Sequence, residues 1–304
     1  MLQVRFNGAV GNQVDFWFRG RSGYPDASWS TGVPANGRLD VSPSQVFGAN
    51  AWVGSVVVSS NQPLAVAVLD TFTDGHTRTA NAAAGGAATL YAPALYRAVY
   101  GLTSGIVVQN VGYTPTFVEL RFCNRPGTVC TTYLLNNGNP LLPGYAGGVY
   151  LPGVPGLTDG WTGSARILSS GGQPLAASVQ ADQPGVGDFA YNAASVPART
   201  ILLPRAAKNN NGRTTSYLIQ NASATNALQV TATYYDEWGI PTGSPVVYPP
   251  LTPLASLGRY QGADAQLPDG WRGSIVLTAD GPWAVAVARE NSSNSMSAAN
   301  GIPR

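Results

Sequence analysis

Three stretches of the chain alternate apolar and polar side chains with a period of two. Val14, Phe16 and Phe18 interleave with Asp15, Trp17 and Arg19. Val118, Leu120 and Phe122 interleave with Glu119, Arg121 and Cys123, and Val230, Ala232 and Tyr234 with Thr231, Thr233 and Tyr235. Such alternation predicts antiparallel strands that bury one face and wet the other. A shorter apolar strand precedes each and ends at an asparagine: Val4–Asn7, Val107–Asn110 and Leu218–Asn221. A glycine follows each at one fixed offset (Gly23, Gly127, Gly239), where a hairpin turn needs a positive φ.

The rest of the pattern recurs as well. Trp52, Trp161 and Trp271 each open a Trp-x-Gly-Ser segment, and a Pro-led strand follows: Pro63–Val68, Pro174–Val179 and Pro282–Val287. Proline is tolerated at a strand's first residue because no ladder donor is needed there. In two of these strands the large residues (Leu64, Val66, Val68; Trp283, Val285, Val287) are expected to fill the core. Ala65, Ala67, Ala284 and Ala286 are then expected to face outward. No helical period of useful length is present.

The repeat length, about 110 residues, is that of an independently folding domain rather than a solenoid unit. It divides the chain into residues 1–88, 89–199 and 200–304. Joints at Thr89–Pro93 and Thr200–Pro204 run straight into the next repeat without a Gly/Ser linker, which predicts a stiff rod. The expected fold is all-β, with three tandem antiparallel β-sandwich domains of roughly seven strands each.

Composition narrows the class. Apolar residues make up 44% of the chain, enough to build cores, and charged residues only 11%. Lys and Arg total 17 against 15 Asp and Glu, with no basic block, so the phosphate contacts that drive nucleic-acid binding have no surface. The 36 glycines and 23 prolines suit short strands joined by turns, a profile of secreted or surface β proteins. No apolar run approaches the roughly 18 residues that a membrane-spanning helix needs. The first residues lack the apolar core of a signal peptide, so a secreted protein of this sequence is expected to be a mature or excised form.

Cys123 and Cys130 flank Asn-Arg-Pro-Gly-Thr-Val, whose Pro-Gly marks a turn. The two cysteines then lie on facing strands of one hairpin, within disulfide range. The alternative is two free thiols in a reducing compartment. A zinc site is disfavoured, because two cysteines are half a ligand set and His76, the only histidine, is far away in sequence.

The joint Leu202-Leu-Pro204, the strand Ser216–Asn221, the turn Tyr234–Gly239 and the segment Leu267–Ser274 carry a resemblance. They resemble the Ig-like repeats of uncharacterised secreted surface proteins of bacteria. The likeness covers nearly all of the third repeat and most of the second. The first departs from it, with Arg19–Gly23 in place of the Tyr-Asp turn. The resemblance implies an extracellular array of Ig-like sandwiches without catalytic residues. Ig-like modules serve many purposes, so fold alone assigns no activity.

Candidate chemistry is sparse. His76 has two aspartates nearby, Asp70 and Asp74, but the matching loops of the other repeats lack histidine, and a polar turn explains it. No Gly-x-Ser-x-Gly elbow accompanies it. Asp159, Asp269 and the Asp236–Glu237 pair stand where turns need acidic residues, not as a hydrolytic pair. The strict recurrence of Trp52, Trp161 and Trp271 points to packing. Tyr24, Trp29, Tyr145 and Tyr150 do not recur, and they are the better candidates for a platform that stacks on glycans. Asn221 and Asn291 match the glycosylation signal. Asn221 is a recurring strand-end residue that an Asx turn accounts for, which leaves Asn291 as the better acceptor.

These features predict a non-enzymatic extracellular structural protein without cofactor or metal, a subunit of a surface filament, pilus-like fibre or coat. Its partner would be another copy of itself, met through strand edges. The alternative is an adhesin or carbohydrate-binding array. Three repeats share only two joints, so one terminal repeat is expected to lack a strand and expose an edge, unless the ends are boundaries within a longer array.

Overall fold

The computed structural model describes residues 1–6, 8, 11–21, 23–48, 52–71, 77–293 and 295–304. The first repeat contains β1 (Leu2–Arg5), β2 (Asn12–Gly20), β3 (Ala27–Val33), β4 (Arg38–Val41), α1 (Pro43–Phe47), β5 (Gly54–Ser60), β6 (Ala65–Thr71) and β7 (Thr77–Asn81). The second contains β8 (Thr89–Arg97), β9 (Thr103–Asn110), β10 (Val118–Asn124), β11 (Cys130–Leu134), β12 (Ala146–Tyr150), β13 (Trp161–Ser169), β14 (Leu175–Gln183) and β15 (Gly187–Asn192). The third contains β16 (Thr200–Ala207), β17 (Thr214–Asn221), β18 (Val230–Asp236), β19 (Val246–Val247), β20 (Ser256–Tyr260), β21 (Arg272–Ala279), β22 (Ala284–Asn291), β23 (Met296–Asn300) and β24 (Ile302–Pro303).

The protein is all-β, and its sheets are antiparallel. Two sheets serve each repeat. Their orders are β4-β1-β6-β7 with β3-β2-β5, β12-β9-β14-β15 with β11-β10-β13-β8, and β20-β17-β22-β23 with β19-β18-β21-β16-β24. The period-two residues meet between the sheets, as a sandwich core requires. Val4 and Phe6 pack against Phe16 and Phe18, and Ile106 and Val108 against Leu120 and Phe122. In the third repeat Tyr217 and Ile219 pack against Tyr234 and Ile275. The offset glycines Gly23, Gly127 and Gly239 take φ of 89°, 74° and 80°, the conformation their hairpins demand.

Each joint strand belongs to the repeat that it introduces, since β8 pairs with β13 and β16 with β21. The register of the second pairing shifts between Leu203 and Ala206, beside Pro204. A bulge is where a strand tolerates a residue with no N–H to donate.

One expected facing is reversed. In the first repeat Leu64 and Val66 do pack on their own core. In the third, Ala284 and Ala286 face the core, whereas Val287 joins Leu218 in the apolar cluster of the second repeat. The cause is register. Ala67 and Ser178 stand opposite Asn81 and Asn192, but Val287 stands opposite Asn300, one residue later in the Pro-led pattern. A slip of one residue turns every side chain of a strand to the other face.

Candidate functional site: inter-repeat contacts

The Trp-x-Gly-Ser segments are built alike. Trp52, Trp161 and Trp271 stand edge-on to Phe18, Phe122 and Tyr234, with centroids 5.6, 6.3 and 5.9 Å apart. Edge-to-face pairing suits the ring quadrupoles and adds to the burial of the rings. The glycine is required by close backbone approach. A Cβ on Gly54, Gly163 or Gly273 would fall 2.1, 2.0 or 1.9 Å from the carbonyl oxygen of Arg19, Cys123 or Tyr235. The serine reaches out of its repeat. Ser55 Oγ donates to the Gly144 carbonyl at 2.7 Å, and Ser164 Oγ to the Leu254 carbonyl at 3.2 Å. Both acceptors lie in left-handed backbone, at φ of 81° and 61°.

Other parts of the two contacts also correspond. Arg19, Cys123 and Tyr235 lie opposite Ser55, Ser164 and Ser274, so Arg21, Arg125 and Glu237 share one position. Asp40, Gly148 and Gly258 share another, opposite Gln3, Val107 and Leu218. Arg21 Nη2 donates to the Gly148 carbonyl at 3.5 Å, and the Arg125 carbonyl accepts from the Ser256 N–H at 2.8 Å. A Cβ on Gly148 or Gly258 would lie only 3.0 or 3.2 Å from the respective guanidinium. The asparagines that close the edge strands form a ladder. Asn192 Nδ2 donates to the Asn81 carbonyl at 2.9 Å, and Asn300 Nδ2 to the Asn192 carbonyl at 2.6 Å. Arg78 also pairs with Asp182 at 3.1 Å, and Arg289 lies over Tyr96 at 5.3 Å.

The candidate glycan rings separate into two kinds. Trp29 stacks on Phe16 at 5.2 Å and belongs to the margin of a core. Tyr145 donates its hydroxyl to Asp26 at 2.5 Å across the first contact, beneath the Arg19 guanidinium. That bond, with those from the Gly20 N–H and Arg19, holds the Asp26 carboxyl below its ordinary value. Tyr24 and Tyr150 remain exposed. The platform drawn from four rings therefore loses two of them to packing.

The other sequence candidates are placed as follows. Cys123 and Cys130 face each other across β10 and β11 and form a disulfide, with Cα atoms 4.1 Å apart. Asn221 is fully buried. Its Nδ2 donates to the carbonyls of Asn226, Leu251 and Thr252, and its Oδ1 accepts from the Ser223 N–H, so it is no glycan acceptor. Asn291 ends β22, paired with Thr214 and Met296, and is half-buried. Asp159 pairs with Arg97, Asp269 accepts from Asn209, Asp236 accepts from the N–H groups of its own turn, and Glu237 pairs with Arg272. His76 lies outside the described residues. Among those described, no group of three or more His, Cys, Asp or Glu could hold a metal ion, and no helix is long and apolar enough to cross a membrane.

The two joint strands cover one strand each in the second and third repeats. Among the described residues, β13 and β21 each lie between two strands and β5 pairs with β2. Val56, Ala165 and Ile275 are equivalent, opposite Phe18, Phe122 and Tyr234, and Val58 matches Ile167 and Leu277. All four residues in the covered strands are buried, but Val56 and Val58 are half-exposed. The neighbouring sheet tells the same story. All eight residues of β17 are buried, because β8 covers its outer face, while the outer-facing residues of β9 are only half-buried.

Sequence reasoning missed the inter-repeat contacts. The only signal for them was the common offset of Arg21 and Arg125 from their hairpins. It also missed a buried polar network in the third core, where Tyr217 bonds Tyr248 and Tyr234, and Tyr234 donates to Asp264 at 2.9 Å.

No protein-family model and no curated protein matches the chain. Among solved structures it is similar to Thermotoga maritima 1070, at 19% identity and a TM-score of 0.29, over 36% of this chain and 96% of that one. A β-glucuronidase from glycoside hydrolase family 2 aligns at 10% identity and a TM-score of 0.19, over 99% of this chain and 30% of the enzyme. A glycosyl hydrolase family 2 member from Bacteroides cellulosilyticus aligns at 8% and 0.19, over 99% of this chain and 36% of the enzyme. The chain thus spans about a third of either hydrolase. Likenesses this low carry no argument about function.

Proposed function

We propose that the protein is a non-enzymatic extracellular structural protein, a rod of three Ig-like β-sandwich modules that serves as a subunit of a surface filament, fibre or coat. One observation carries this reading: the two successive inter-repeat contacts use the same parts. A serine on a left-handed carbonyl, a hairpin arginine over a glycine and an asparagine ladder occur twice in one direction. The chain is itself a short length of stacked assembly. The cross-strand disulfide supports an oxidising compartment.

The same parts argue about how copies would join. Stacking a second copy on the third repeat by the internal rule would set Glu237 against Asp40, where the internal contacts have arginine against glycine. Both carboxylates are already held by arginines, Arg272 and Arg38, so the internal arginine–glycine contact has no counterpart there and strand edges are the favoured way to assemble. Electron microscopy of the purified protein tests the reading. Fibres or sheets are expected, and particles that stay single at all concentrations would overturn it. The competing reading, a carbohydrate-binding array, rests on the exposed rings of Tyr24 and Tyr150, and a glycan-binding screen decides it.

A further inference from the structure

We propose that the outer face of the β3-β2-β5 sheet is a binding site for a neutral oligosaccharide, seated on the ring of Trp17. This goes beyond the structural role and does not depend on it. Trp17 lies on the outward face of β2, 37% exposed, between Ser28 of β3 and Val57 of β5. Asp15 stands on the same face, about 7 Å away along the strand. Its carboxylate accepts from Ser30 Oγ at 2.5 Å and from Gln13 Nε2 at 3.3 Å. Beside it the face sinks into an open depression of about 580 Å³ at Gln13, Ser30 and Gly32. Gly32 leaves the hollow open, since a Cβ there would meet nothing within 4 Å. Asn12 also lines it, only 4% exposed, and its buried Oδ1 has no hydrogen-bond partner among the described residues.

This combination fits a sugar. The electronegative face of an aromatic ring attracts the C–H groups of a pyranose, and the hydroxyls need a few polar groups placed close by. Trp17 supplies the first, and Asp15, Gln13 and Ser30 supply the second. Asn12 Oδ1 is an acceptor that a sugar hydroxyl in the depression would satisfy. Charge sets the class. None of the described residues lining the depression is cationic, Asp15 stands at its margin, and Arg19 is engaged with Asp26. A carboxylate in that setting disfavours an anionic glycan. The arrangement is confined to the first repeat. Arg121 and Thr233 stand where Trp17 does, and Glu119 faces Leu134 and Leu168 where Asp15 faces Ser30 and Ser59. What recurs in this chain serves packing, and this face does not recur. Neighbouring strands do not cover it either. In the second repeat β8 lies beyond β13 and a repeat adjoins on both sides, yet Arg121 is exposed. The equivalent face thus stays open even where the sheet carries a further strand.

Calorimetric titration of the full-length protein with cellohexaose, mannohexaose and laminarihexaose tests the assignment, with oligogalacturonate as the anionic control. At least one neutral oligomer should bind with a Kd below about 1 mM. Trp17→Ala should weaken that binding by about tenfold or more. Gly32→Thr, which fills the depression with a residue that strands favour, should weaken it too. The second variant keeps the test decisive if loss of the ring disturbs the fold. Three results would overturn the proposal. No neutral oligomer binds, or both variants bind like the parent while Tyr24→Ala or Tyr150→Ala does not, or the anionic oligomer binds as tightly as the neutral ones. Fibres without sugar binding would leave the structural role standing and remove this site. Sugar binding without fibres would do the reverse.

Discussion

The side-chain amide of Asn300 donates to the backbone carbonyl of Asn192, which lies more than a hundred residues earlier in the chain. Asn192 does the same to Asn81. A residue that looks like a local turn former in each repeat is thus a rung between repeats. Asn192→Ala should therefore act on the joint rather than on either core. The expected cost is about 1 kcal/mol, as for one hydrogen bond. Calorimetry should show the first two repeats unfolding less cooperatively, and an unchanged thermogram would assign the ladder no energetic role.

Trp271, only 6% exposed, is the most enclosed of the three recurring tryptophans. Trp271→Ala should cost about 3–5 kcal/mol, the range for a buried aromatic. A loss under about 1 kcal/mol in denaturant titration would mean that the ring does not support the core. Gly163→Ala should also destabilise, by about 1–3 kcal/mol, because the added methyl has no room beside the Cys123 carbonyl. Gly105→Ala is the control, with no atom closer than 3.6 Å.

Reducing Cys123–Cys130 should cost about 2.5 kcal/mol for so short a loop, on the chain-entropy account. Arg19 and Tyr235 stand at the position of Cys123 in the other repeats. Exchange measured with and without reductant should therefore change in the second repeat alone.

Asp264 makes the third repeat acid-sensitive. Burial alone would raise its carboxyl, but hydrogen bonds from Tyr234 and Arg259 outweigh burial and hold it below the ordinary 3.8. Its contribution to stability is complete above pH 3.8 and is lost as the pH falls through the lower folded value. Unfolding of the third repeat should therefore set in at more acid pH than this, and Asp264→Asn should flatten the acid limb of its stability curve. Asp264→Ala, which removes an acceptor from Arg259 and from the Tyr234 hydroxyl, should cost about 1–3 kcal/mol at neutral pH.

Changing both Glu237→Arg and Asp40→Gly would give the two ends the parts of the internal contacts. Sedimentation should then reveal concentration-dependent end-to-end chains that the parent protein lacks. Their absence would mean that the arginine–glycine contact does not direct stacking.

The strands, their inward residues and their turns were legible in the sequence. Val14, Phe16 and Phe18 alternate because one face must be dry. Gly23, Gly127 and Gly239 recur because their backbone needs a positive φ, and Trp-x-Gly-Ser recurs because the glycine clears a carbonyl. These are local demands, met by residues close together in the chain. The joints were legible too, although only the pairing of β8 with β13 and of β16 with β21 assigned each to the repeat that it introduces. What tertiary structure decided lies in register and in contacts between repeats. Val287 turns away from its own core because one residue of slip exchanges the two faces of β22, and a strand of alanine and valine is apolar on both. Arg21 finds Gly148 at a separation of 127 residues, where nothing in either neighbourhood announces the other. Periodicity records how a strand meets its own sheet; which surfaces meet between sheets is set by packing that no single segment contains.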